Sequence, residues 1–172
     1  TIHINGVPTV VELKPMVFSD FITARTKDFV GRVGLFKQLE EWRTGSGSHK
    51  GTKVVVVKGA PGMGKSALAA FLVDQHPVLK PHVAAYHFCR YDDPATLDAD
   101  NWLGNVTARM VGWMRQAGLE GVEECVKVVK ERPAKQAVKV AWRLFLLTLK
   151  AANEGYSGSP VFVVVDSLDE AV

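Results

Sequence analysis

The chain has 172 residues, 47% of them hydrophobic and 23% charged, enough to bury one core and too few for two full domains. Its 21 basic and 18 acidic residues leave a formal charge of +3, which admits an anionic ligand but falls short of the dense basic surface of a dedicated nucleic-acid binder. Cys89 and Cys125 stand far apart without CxxC spacing, against a disulfide framework or zinc site and in favour of a reducing, cytoplasmic setting; no apolar run reaches the roughly 18 residues that span a bilayer.

Residues 1–27 read as an N-terminal arm or extension. Asn5-Gly6 lies between two alternating, β-favouring stretches, so a short hairpin is expected there, with Pro8 confining its second strand to an edge. A mixed segment follows Pro15. In "DFVGRVGLFKQLEEW" Leu35, Leu39 and Trp42 share one helical face, with Asp28, Gly31 and Gly34 in the entry loop. "RTGSGSHKGT" is a Gly/Ser-rich loop.

From Lys53 the pattern becomes α/β. The apolar run of residues 53–58 is bounded by Gly59 and predicts a strand buried on both faces of a parallel sheet. A helix is expected from Lys65 to about Pro77, with Leu68, Phe71, Leu72 and Gln75 in register. Residues 83–89 form a second strand, broken by Asp92-Asp93-Pro94. A helix from about Asp100 to Gln116 carries Leu103, Val106, Met110 and Met114 as its apolar stripe. A shorter helical stretch surrounds Val122, Val126 and Val129 up to Pro133, and a long helix runs from about Ala134 to Asn153 with Val138, Trp142, Phe145 and Leu149 inward. The third strand, Val161 to Val165, delivers Asp166. Strands alternating with helices predict a parallel sheet covered by helices on both faces.

Gly59-Ala60-Pro61-Gly62-Met63-Gly64-Lys65-Ser66 matches G-x-x-x-x-G-K-[ST] between a predicted strand and a predicted helix. Glycines let the backbone wrap closely enough for its N–H groups to face phosphate oxygens, and the helix that follows points its positive end at the same place. In this arrangement Lys65 reaches the outer phosphates and the Ser66 hydroxyl ligates Mg2+. The tail supplies the other half of such a site. An acid at the tip of a second buried strand holds the metal, and a further acid orients the attacking water. Asp166 is placed for the first role and Asp169 or Glu170 for the second.

The spacing of those acids carries a family resemblance. Asp166 is followed by the small residue Ser167, with acids again at Asp169 and Glu170, an arrangement that resembles the NACHT group of the STAND class of P-loop ATPases, which are related to AAA+ proteins. "FVGR" at Phe29 to Arg32 is similar to the segment that lies along the adenine in STAND and AAA+ proteins. "YHFCRYDDPATL" at Tyr86 to Leu97 resembles the post-strand segment of NACHT proteins that carry ankyrin, tetratricopeptide or WD repeats. The resemblance covers residues 28–172 and implies the N-terminal part of a P-loop NTPase domain that continues beyond Val172.

The resemblance also implies an ATP-operated regulatory switch with slow hydrolysis, in a larger signalling or scaffolding protein whose partners dock through repeat domains. Its ATP/ADP contacts would be Val30, Gly31, Arg32, residues 59–66 and Ala67; its metal ligands Ser66 and Asp166; its catalytic acids Asp169 and Glu170. The family's fold places a later strand between those ending at Lys58 and Asp166, so a sheet made only of residues 53–58, 83–89 and 161–166 is expected to keep a gap between its first and third members. Two other readings are open. One is a structural NACHT-like module with little or no turnover; the other is a DNA-associated AAA+ loader, against which Ser167 in place of glutamate argues.

His87 and Cys89 share a strand face, which fits a buried strand better than a metal site. Lys135, Lys139 and Arg143 recur every four residues as a solvated helix face. Trp102, Trp113 and Trp142 are expected as core or interface anchors.

Overall fold

The computed structural model describes residues 14–46, 54–119, 122–123, 126–127, 146–147, 150 and 161–167. The expected N-terminal hairpin, most of the helix over 134–153, and the acids Asp169 and Glu170 lie outside the described residues.

Within them the chain is α/β. It forms α1 (Ser19–Thr26), α2 (Val33–Thr44), α3 (Lys65–Asp74), β1 (Val83–Phe88), α4 (Ala99–Gln116) and β2 (Phe162–Asp166), with single 3-10 turns at Lys80–His82 and Pro94–Thr96. β1 and β2 pair in parallel, with Val83 opposite Phe162, then Ala85 to Phe88 opposite Val163 to Asp166, and an irregularity at Ala84. Both strands are short apolar runs, as strands covered on two sides are.

The pleat sorts the side chains to two layers. Phe162 and Val164 face α2 and α3, where Phe36, Leu68, Leu72 and Leu79 are buried. Val161 and Val163 face the other way, onto Val106 and Met110 of α4. Helices therefore cover both faces, as the alternating pattern predicts. α4 begins where Asp98 accepts a hydrogen bond from the Asn101 N–H at 2.9 Å, an N-cap directly ahead of the apolar stripe. Beyond it, Val122 and Val126 are helical and buried against Val111 and Met114.

Two elements depart from expectation. The segment after Pro15 forms α1, and Phe18 and Ile22 bury themselves against Ala69, Ala70 and Val73 of α3 and Phe88 of β1. The run Val54–Val57, expected as a doubly buried strand, pairs with no strand among the described residues, and Val54 and Val56 keep 71% and 68% of their surface exposed. Among the described residues the sheet is β1 beside β2, and neither strand pairs with the run.

Candidate functional site

The loop of residues 59–64 is shaped by its glycines. Gly62 and Gly64 adopt φ of 78° and 81°, a left-handed backbone that residues with a Cβ adopt at a cost. The Met63 N–H donates to the Ala60 carbonyl at 3.2 Å and closes a turn over Pro61-Gly62. α3 then starts at Lys65 with Gly64 as its N-cap, and no side chain caps it among the described residues. Its first N–H groups are thus directed into the loop with no side-chain acceptor, the arrangement in which a helix terminus receives an anion. Lys65 folds over the same loop, its Nζ donating to the carbonyls of Gly59 at 2.9 Å and Ala60 at 3.4 Å. Ser66 and Ala67 occupy the first turn of α3, half-buried.

The segment of residues 29–32 is fastened to α3 at one end and to this loop at the other. The Phe29 ring stacks on Phe71 of α3 with centroids 4.7 Å apart, and meets Phe36 of α2 at 6.1 Å. Gly31 and Arg32 both take positive φ, 86° and 61°. The Arg32 carbonyl accepts the first hydrogen bonds of α2, from Leu35 and Phe36, while its Nη2 donates to the Met63 carbonyl at 2.8 Å. Val30 stays 85% exposed beside this bridge.

Asp166 ends β2 and is buried; its carboxylate lies 3.3 Å from the Ser167 hydroxyl, and its carbonyl accepts from the Cys89 N–H. Ser167 takes φ of 55°, turning the chain sharply away from the strand. The link from α3 to β1 is only eight residues long, so the C-terminus of α3 sits near the start of β1 and the helix runs back toward the strand ends. The N-terminus of α3 and Asp166 therefore belong to the same end of the layer. The Arg32–Met63 bond brings the 29–32 segment against the 59–64 loop.

A second polar cluster was not singled out by its sequence. Asn105 of α4 is buried and uses all its hydrogen-bonding capacity: Oδ1 accepts from the Met16 N–H at 2.8 Å and Arg109 Nε at 3.0 Å, while Nδ2 donates to the Tyr86 carbonyl at 2.9 Å and His87 Nδ1 at 3.0 Å. His87 then donates from Nε2 to the Thr96 carbonyl at 2.8 Å. Both of its ring nitrogens are engaged within the fold, and burial lowers its pKa most strongly, with the nearby Arg109 acting in the same direction and the Thr96 bond opposing. Arg109 caps the Tyr86 ring at 3.8 Å. The signal for this cluster was an asparagine on the apolar stripe of a helix, between Leu103 and Val106, a position that demands partners.

No helix among the described residues is long and apolar enough to cross a membrane. Comparison with curated proteins and with solved structures returned no match. A family profile described as Nephrocystin 3, N-terminal spans residues 36–172, well over half of the chain and all of it from the first turn of α2 onward, and the chain therefore belongs to that family.

Proposed function

We propose that the chain is a NACHT-like P-loop nucleotide-binding module that takes ATP or ADP with Mg2+ and serves as a regulatory switch in the cytoplasm, its partners engaged through further domains. The observation that carries this reading is the N-terminus of α3, uncapped among the described residues, opening into a loop shaped by Gly62 and Gly64, with the Lys65 ammonium held over it by the Gly59 and Ala60 carbonyls. A cluster of N–H donors beside one cation fits a phosphate chain. Asp166 fits the metal: a carboxylate at the same end of the layer as the Ser66 hydroxyl, oxygen donors of the kind that hold Mg2+. The exposed apolar face of Val30, beside Arg32, fits the flat heterocycle of the base. The run Val54–Val57, which pairs with neither β1 nor β2 among the described residues, is also in keeping with the strand order of that ATPase class.

When bound, Mg2+-ATP supplies an activated phosphoryl group with its charge partly neutralised. The chain's own residues bind and orient it: the 62–67 backbone and Lys65 hold phosphate oxygens, Ser66 and Asp166 hold the metal, and Asp169 or Glu170 orients water. Asp166→Ala should therefore abolish the magnesium dependence of nucleotide binding. Asp169→Asn and Glu170→Gln should leave binding intact, and loss of the base among them should slow turnover by about 10²-fold or more. Single-turnover hydrolysis beside equilibrium binding checks this, and wild-type turnover in both neutralised variants would remove the hydrolytic half of the reading.

A further inference from the structure

Arg32 combines two features that its place in the sequence does not require. It sits in the left-handed region at φ 61° although it carries a side chain, and its guanidinium reaches 31 residues along the chain to the carbonyl of Met63. Glycine at this position would adopt the same backbone without strain, as Gly31 does next to it at φ 86°. Strain of this kind persists where the side chain it carries is used. The Met63 carbonyl lies between Gly62 and Gly64, the two glycines of the loop with positive φ. Phe29, stacked on Phe71, anchors the other end of the same short segment to α3.

We propose that Arg32 is a positioning residue, which grips the Met63 carbonyl and so fixes the shape of the 59–64 loop before any ligand arrives. Its guanidinium lends rigidity to a glycine-rich turn whose free chain would otherwise sample many shapes, so the ordering cost is met in folding rather than in binding. The consequence for ligand affinity rests on the nucleotide reading above; the latch itself does not.

The test uses the full polypeptide as wild type, Arg32→Gly and Arg32→Lys, with three readouts: thermal unfolding, amide exchange of residues 59–67 without nucleotide, and Mg2+-ATP affinity. Arg32→Gly should unfold at the wild-type temperature or above, since the strained backbone is relieved. Its loop amides should exchange about tenfold faster or more, and its affinity should fall by a similar factor, the scale of one charge-assisted hydrogen bond. Arg32→Lys, which keeps a cationic donor, should recover part of both. Wild-type exchange and affinity in Arg32→Gly would overturn the proposal, as would a lowered unfolding temperature with unchanged loop exchange, which would make Arg32 a support of the fold alone. Loop exchange that depends on Arg32 in a wild type that binds no nucleotide would uphold the latch and remove the nucleotide reading.

Discussion

Asn105 and His87 illustrate how much one buried polar contact decides. Asn105 donates to His87 Nδ1, so the imidazole must be neutral with its proton on Nε2, where it meets the Thr96 carbonyl. Protonating Nδ1 would set two donors against each other in a site that His87 occupies with no exposed surface. Burial also lowers the pKa of His76, against the raising influence of Glu40, and of His82, where Arg43 adds to the lowering and Glu40 opposes it. A histidine whose folded pKa lies below its unfolded value of about 6.5 contributes stability that is complete above that value and is lost as pH falls through it toward the folded value. Thermal stability should therefore decline from pH 7.5 to pH 5, and replacing His87 with glutamine should flatten the decline. A profile equally steep in wild type and His87→Gln would show that this imidazole does not carry it.

At the scale of elements, α1 is the part that local pattern conceals. Its eight residues carry only Phe21 and Ile22 as large apolar side chains, with Phe18 just ahead, and the buried partners of Phe18 and Ile22 lie in α3 and β1, more than 40 residues away in sequence. Phe18 meets the rings of His87 at 5.5 Å and Phe88 at 5.3 Å, edge-on in both cases. Phe18→Ala should cost about 3–5 kcal/mol in denaturant unfolding, the range of a buried aromatic lost from a packed site. A cost below about 1 kcal/mol would mean that α1 only rests on the surface. α4, β1 and β2 were by contrast legible within a residue or two, because a periodic apolar stripe and short apolar runs bounded by breakers are local signals. The run Val54–Val57 reads from sequence like β2, but burial depends on neighbours that a local reading assumes and the described chain does not place there. The same limit applies to Arg32: its motif marks the segment, while its grip on Met63 is a contact between distant loops that no spacing announces.

For the molecule as a whole, two layers of helices hold β1 and β2 between them and leave one end, where α3 begins and β2 stops, to carry the glycine loop, Lys65, Arg32 and Asp166. The helices on the two faces pack against the strands, while the loop at the end is tied to the 29–32 segment through Arg32 and the Met63 carbonyl. That this end receives a nucleotide through its phosphates is tested most cleanly at Lys65, whose ammonium bonds to the loop carbonyls of Gly59 and Ala60 and belongs to no apolar cluster among the described residues. Equilibrium titration of the full polypeptide with Mg2+-ATP, for wild type and Lys65→Ala at matched thermal stability, is the most direct measurement. One nucleotide should bind saturably per wild-type chain, and affinity should fall by about a hundredfold or more when the ammonium is removed. Equal affinity in the two proteins, or no binding in the folded wild type, would contradict nucleotide binding through the phosphates at this end.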